Sequence, residues 1–464
     1  MSMKRISCKN LSRREFIGKV GLASAAFTVV PRQVLGGTGY TAPSDMINVA
    51  GIGIGARGAS VIQGICSPDE PLVRPGRQPS PLPSPRINHA NIYALCDVDT
   101  DKAAWVFNGY PRAKVYTDWR EMLEKEPSID AVAIGTPDHT HACISTAFMR
   151  AGKHVFVEKP MCKTVFEVRE MVRVARETGV VTQVGNQRHA SDDIRDSVEL
   201  IQSGAIGFVR EVHMHTNRPV WPQGNLSRPA GVPVPSYINY DVWLGPAPEK
   251  PYHPDILHFN WRGLWDYGTG ALGDMGAHII DCPMWALNLG LPTKIHATST
   301  PYNDDFLPQS MMVTYEFPAR GINPPVKVMW VDGGLRSPRP GVLEDGRAVG
   351  SVVYYGDKGI LMHGNGGSNI SFVPEKPFEK PQPWLERTSD IFQDWIDAIK
   401  NGTRPCNDFA KAADMTEMML LANIAVLHQR DNVTLVYDGA NMRFVNSTAA
   451  NEHFHYPYRD GWAL

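Results

Sequence analysis

The sequence predicts an α/β protein that opens with a doubly wound parallel sheet, and three observations predict it. A short, β-branched apolar run, Ile47 to Ile52, leads through a glycine-rich turn into a helical pattern. Strand-length apolar runs then alternate with helical patterns up to about residue 190, the order expected of parallel strands joined by crossover helices. From Lys294 to Met362 the pattern changes to short strands separated by Pro, Gly or Asn turns, as in an open sheet. At 464 residues the chain has length for two or three domains.

The turn after the first strand reads Gly53-x-Gly55-x-x-Gly58, with Arg57 inside it. In a strand–turn–helix setting the first glycine permits the tight turn, the second lets the backbone approach a pyrophosphate, and the third lets helix and strand pack closely. The helix, read from Ala59 onward, offers its first N–H groups to phosphates. A plain βα turn is the alternative. Seven prolines between Ser67 and Arg86 mark a surface insertion. The strand Asn91 to Cys96 ends in Asp97, placed to accept hydrogen bonds from ribose hydroxyls. It is followed by Val98, Asp99 and Thr100 without an arginine, which favours NAD over NADP. The alternative for Asp97 is a helix N-cap before Lys102.

The strand Ala131 to Gly135 ends in Thr136 and Pro137, which fall at the nicotinamide half of such a site, with His139 just beyond. His139 and His141 read as capping and packing residues, because no carboxylate or cysteine completes a metal set; no metal is expected. The strand His154 to Val157 runs into Glu158-Lys159-Pro160. Lys159 at a strand end points into the crevice, the alternative being a surface ion pair. A helix from Thr164 to Thr178, a strand from Val180 to Val184 and the polar turn Gly185-Asn186-Gln187-Arg188 complete this half.

The ordered set GxGxxG, CDVD, TPDHTH, EKP and GNQRH resembles the glucose–fructose oxidoreductase, inositol dehydrogenase and MocA family. The resemblance implies an N-terminal Rossmann dinucleotide-binding domain and a C-terminal α/β domain with a large, mostly antiparallel open sheet. Residues 1–40 would be leader and linker, 41–190 the NAD domain and 191–464 the substrate and oligomerisation domain. It also implies that Lys159 is an active-site lysine, and it puts Glu158, Lys159 and Asn186 beside the cofactor with Gly53, Gly55, Arg57, Gly58, Asp97, Thr136, Pro137 and His139.

In the second half, Asp193 to Ser203 reads as a helix and Val209 to His215 as a half-buried strand, with His213 and His215 on one face. These two are more often packed or solvated than metal-binding. The stretch from Trp243 to Trp285 is the second chemical centre. Trp261, Trp265 and Tyr267 suit a sugar, whose C–H face stacks on a ring; core aromatics are the alternative. Asp274, His278 and Asp281 stand at i, i+4 and i+7, one helix face. An Asp one turn before a His can orient the ring and tune it as an acid/base. The matching family motif carries catalysis, so Asp274 and His278 join Lys159 as catalytic residues. Asp281 and Arg188 join the aromatic residues as substrate contacts, although Pro283 is expected to kink the helix and disturb the aim of Asp281. Helices over Ser389–Lys400 and Ala410–Arg430 are assigned to packing. The aromatic tail after Thr434 is expected to wrap over a domain or a neighbouring subunit, and strand edges suggest a homo-oligomer.

Ser12-Arg13-Arg14-Glu15-Phe16 precedes the modest apolar run Val20 to Val30. This matches a twin-arginine export signal, cleaved between Ala26 and Thr41, and it implies the translocase as a partner and a periplasmic location. The run is too short for a permanent membrane anchor. Because that route carries folded proteins, the NAD is expected to be tightly held. A net charge of −2 with no basic tract argues against nucleic acid. The seven cysteines form no CxxC pair, so neither a zinc cluster nor a redox pair is indicated.

These readings converge on an exported NAD-dependent oxidoreductase acting on a ring secondary alcohol of a sugar or glycoside, such as C3. His278 would accept the hydroxyl proton, Lys159 would stabilise the alkoxide, and Asp274 would set the histidine tautomer. The alternatives are a redox-neutral glycosidase or lyase acting through a transient keto-sugar, with Tyr237, Tyr240 or Tyr267 as extra acid/base, and a non-catalytic sugar-binding protein.

Overall fold

The computed structural model describes residues 45–76, 89–388 and 390–464. The leader, its twin arginines and the second half of the proline-rich insertion lie outside the described residues. Residues 47–464 form one compact unit.

The first sheet follows the predicted alternation. β1 (Ile47–Ile52), α1 (Arg57–Ile65), β2 (Ala90–Cys96), α2 (Thr100–Gly109), β3 (Lys114–Tyr116), α3 (Trp119–Lys125), β4 (Ala131–Ile134), α4 (His141–Arg150), β5 (His154–Glu158), α5 (Val165–Thr178) and β6 (Thr182–Gly185) succeed one another. All six strands pair in parallel, in the order β3-β2-β1-β4-β5-β6. Val49, Ala50, Ala131, Val132, Val155 and Phe156 are wholly buried, since helices cover both faces of such a sheet and its strands read as continuous apolar runs. The helix α1 begins at Arg57, one turn edge earlier than its apolar pattern suggests. α5 starts on a capping box, Thr164 with Glu167, which satisfies two backbone donors at once. β3 and α3 had no sequence signal: three half-exposed residues and a seven-residue helix are too short to show a period.

The second part runs α6 (Asp192–Gln202), β7 (Val209–His215), α7 (Tyr240–Leu244), α8 (Gly270–Ile279), α9 (Asp281–Leu287), β8 (Lys294–Ser299), β9 (Met311–Phe317), β10 (Val326–Val331), β11 (Val352–Gly356), β12 (Gly359–His363), β13 (Ser371–Val373), α10 (Ile391–Asn401), α11 (Phe409–Leu427), β14 (Leu435–Asp438) and β15 (Arg443–Phe444). Its nine strands order as β13-β12-β11-β7-β10-β9-β8-β14-β15. Only β7 and β10 pair in parallel; the other neighbours are antiparallel. β9 alternates buried and exposed side chains from Met311 to Phe317, as a sheet with one covered face requires. His213 and His215 are packing residues here: His213 Nε2 meets Glu211 at 2.7 Å and His215 Nδ1 meets Ser337 Oγ at 3.2 Å.

The helix carrying Asp274 and His278 stops at Ile279, and Asp281 opens α9. Pro283 has no N–H to give the carbonyl of Ile279, and its ring crowds that carbonyl, so one helix becomes two. Ile280 between the two helices keeps helical dihedrals (φ −74°, ψ −28°), and His278 and Asp281 still meet one partner, Asn186.

The chain then returns to the first sheet. Trp395 of α10 is wholly buried and meets the Phe156 ring edge-on at 5.6 Å. On α11, Glu417 holds Arg169 of α5 through both carboxylate oxygens, at 2.7 and 2.6 Å. In the tail, Tyr458 donates to Glu167, Arg459 holds Asp241, and Trp462 packs on Trp119 at 6.2 Å. Residues from the end of the sequence therefore complete the core of its beginning. Trp395→Ala should remove about 3–5 kcal/mol of stability, seen as a clearly lower thermal midpoint; a variant that melts with the wild type would contradict this docking.

Candidate active site

The carboxyl ends of β1, β2, β4 and β5 open into a cleft of about 440 Å³, closed on its other side by residues 257–262 and by α8. Ligand crevices form at this end of a doubly wound sheet. Of the residues expected from sequence, Gly53, Gly55, Arg57, Asp97, Thr136, Pro137, Glu158, Lys159, Trp261, Asp274 and His278 line it.

The glycine turn is built for close approach. Gly53 has φ +73°, and a Cβ there would lie 2.7 Å from the backbone nitrogen of Thr136. A Cβ on Gly58 would lie 2.2 Å from the carbonyl oxygen of Gly53, so only glycine lets α1 sit against the turn. The N-cap of α1 is Ala56, which offers no side-chain acceptor, and the first turn holds no acidic residue. Its leading N–H groups and partial positive charge are thus left for an anion. Asp97 accepts from Gly55 N–H at 2.8 Å and from Asp99 N–H at 3.0 Å. Burial lifts its carboxyl to about 6 against the pull of those two donors. The helix cap considered for Asp97 belongs to Asp99, whose Oδ1 accepts from Lys102 N–H at 2.8 Å. These features fit the phosphates and ribose of a dinucleotide.

The charged pair after β5 splits in two directions. Glu158 takes Arg57 Nε at 3.0 Å and Gln187 Nε2 at 2.9 Å. Lys159 reaches across to α8 and donates to the Asp274 carbonyl at 2.7 Å and to Asp274 Oδ1 at 2.9 Å. Burial would raise the Asp274 carboxyl, but Lys159, helped by Arg262 with Nε 3.5 Å away, holds it below the usual carboxylate range. Asp274 therefore does not hold the His278 ring as the i, i+4 spacing suggested. His278 Nδ1 lies 2.8 Å from Asn186 Oδ1 instead. Burial, then the nearby Lys159, push the His278 imidazole down to about 3, so it is neutral near pH 7.

Several expected contacts lie elsewhere. Asn186 is wholly buried behind His278, not in the cleft lining. Asp281 accepts from Asn186 Nδ2 at 2.8 Å and meets His189 Nδ1 at 2.9 Å. His139 is wholly buried between the carbonyls of Tyr267 and Trp243, at 3.3 and 3.0 Å, and burial pushes its imidazole down to about 3. Tyr267 is wholly buried, with its hydroxyl 3.0 Å from Arg228 Nη2, and Trp265 donates to the Asn303 carbonyl at 3.0 Å. Both belong to the aromatic core, the alternative their sequence allowed. Arg188 stands outside the lining, nearest Asp193 at 3.9 Å. Gly58 serves packing, as its spacing implied. None of Tyr237, Tyr240 and Tyr267 lines the cleft.

The sequence reading missed Arg218, His258 and Arg262. Arg262 lay inside the aromatic run already singled out, and its guanidinium stacks 4.3 Å over the Trp261 ring. Arg218 and His258 sit in loops without a pattern, so no sequence signal marked them. Among the described residues no cluster of His, Cys, Asp or Glu could hold a metal ion, and no helix is long and apolar enough to cross a membrane.

Comparison with known proteins agrees with this geometry. Residues 47–186 match the model of an oxidoreductase family with an NAD-binding Rossmann fold, and residues 193–321 match that family's C-terminal α/β domain. The scyllo-inositol 2-dehydrogenase (NADP(+)) IolW of Bacillus subtilis is 26% identical over 213 residues, 46% of this chain and 49% of its own. The myo-inositol 2-dehydrogenase of Thermotoga maritima is 28% identical over 145 residues, 31% of this chain and 43% of its own. The chain thus spans about half the length of these relatives. Among solved structures, the aldose-aldose oxidoreductase from Caulobacter crescentus has a TM-score of 0.56 at 15% identity, covering 84% of this chain and all of that one. The WlbA dehydrogenase from Bordetella pertussis, in complex with NADH and UDP-GlcNAcA, has a TM-score of 0.56 at 17% identity, covering 85% and 99%. These two likenesses speak for the fold. With both of its domains matched in order, the chain belongs to the glucose–fructose oxidoreductase, inositol dehydrogenase and MocA family of oxidoreductases.

Proposed function

We propose that this protein oxidises a ring secondary alcohol of a sugar, glycoside or related cyclic polyol, using a tightly held NAD. The observation that carries the reading is a neutral imidazole and a fixed ammonium in the same cleft as an uncapped glycine turn. A nicotinamide dinucleotide, when bound, supplies the two-electron acceptor. The residues of the chain supply the rest. His278 accepts the proton of the reacting hydroxyl. Lys159 has three N–H donors; two rest on Asp274, and the third serves the oxygen as negative charge grows on it, the term usually largest in such chemistry. Trp261, buried under the Arg262 guanidinium, offers an apolar wall for a sugar ring.

Asp97 supports NAD over NADP, because a 2′-phosphate would meet its carboxylate. The names of the relatives, which include inositol dehydrogenases and an aldose oxidoreductase, support a polyol or sugar as the substrate class. Arg13 and Arg14 support export in the folded state, and export is the reason to expect that the nucleotide stays bound. Homo-oligomerisation through the large open sheet belongs to the same proposal.

The deciding experiment is to purify the mature protein, release and weigh its nucleotide, and screen glycosides and cyclic polyols for keto products. A keto product with one NADH per turnover supports the reading. Release of an aglycone with no net change in NAD would move it to the redox-neutral class, and absence of any nucleotide affinity would end it. His278→Ala should lower kcat by about 10²–10⁴-fold while nucleotide binding, followed by NADH fluorescence, is retained. Since His278 must be neutral to accept a proton, and its imidazole is held down at about 3, activity should not fall on an ordinary histidine limb near pH 6.5. Initial rates after brief jumps to pH 4–6 check this. Asp97→Ser should narrow the NAD-over-NADP preference by about tenfold, the loss of one charge-assisted contact, measured as the ratio of the two Kd values.

A further inference from the structure

We infer that Asn186 and Asp281 are positioning residues which hold His278 as the tautomer with its proton on Nδ1, leaving Nε2 as the base. This rests on the reading of His278 as proton acceptor given above.

The orientation of the Asn186 amide is forced by its surroundings. Nδ2 lies 2.6 Å from the carbonyl of Ala277 and 2.8 Å from Asp281 Oδ2. A carbonyl and a carboxylate only accept, so both N–H donors of the amide are used there. The oxygen Oδ1 is then what faces His278 Nδ1, at 2.8 Å. An amide oxygen cannot donate, so the proton in this contact sits on the ring. Asp281 is itself anchored: His189 Nδ1 lies 3.0 and 2.9 Å from its two oxygens, and the His189 ring stacks on Trp285 at 4.8 Å.

A neutral amide has a consequence that a carboxylate would not. It fixes the tautomer without stabilising the imidazolium. Lys159, Arg57 and Arg188 act on the ring against its protonation, and Asp274 acts for it. Burial is the larger effect on the ring, and with Asp274 spent on Lys159 and Arg262 the charges add to it, which leaves a neutral base.

The test begins with protein labelled with ¹⁵N at histidine, at pH 7 and without substrate. The signals lost in His278→Gln identify that ring. A protonated Nδ1 with a bare Nε2 is the expected result; an Nε2–H tautomer or an imidazolium overturns the inference. Asn186→Leu removes the acceptor against Nδ1 and should lower kcat about tenfold or more, with KM little changed. A folded Asn186→Leu enzyme with the wild-type kcat would also overturn it. Should that variant fail to fold, Asp281→Asn preserves shape and frees the amide to rotate; kcat should fall about tenfold or more with KM held, and an unchanged kcat counts against the inference. The NMR result needs no substrate, so the expected tautomer in an enzyme that oxidises no sugar would sink the functional reading and keep this one.

Discussion

The contact between Lys159 and α8 is the constraint on which the site depends. The lysine leaves the end of a strand of the first sheet, and its ammonium is seated on the carbonyl and carboxylate of Asp274, in the first half of a helix from the second part. That one reach ties the two sides of the cleft together, with the glycine turn on one and the histidine on the other. It also settles which carboxylate does what. Asp274 answers the lysine and Arg262, so the histidine must find its partner behind it.

The electrostatics of the cleft follow from burial more than from pairing. His278 and Asp97 are displaced in the direction that disfavours charge, the imidazole downward and the carboxyl upward, as expected when water is removed from a group. Asp274 resists the same pressure only because two cations stand beside it. The result is a site with a neutral imidazole facing a lysine held in place by Asp274, a division of labour suited to taking a proton from an alcohol while steadying the oxygen left behind.

Much of this was legible in the sequence. β7 falls on the residues read for it, Val209 to His215, and the ordered motifs located most of the cleft. What was not legible has physical causes. β3 and α3 are too short to carry a period. Spacing along a helix gives the face of a residue but not its partner, so Asp274 and His278 looked like a pair when each is claimed by a residue more than 80 positions away. Tyr267 has the composition of a sugar platform and is wholly buried, while Trp265 is half-buried and outside the cleft lining; nothing in a single chain tells a wet ring from a dry one. Pro283 did announce the division into two helices.

The return of α10 to the first sheet has a consequence for how the molecule is made. Phe156 emerges from the ribosome well before Trp395, its neighbour across more than 200 positions. Until that helix arrives, one flank of the early sheet stays uncovered, and contacts so distant along the chain are slow to form. The first sheet is therefore covered by a helix made long after its own strands, and its burial waits on residues far along the chain.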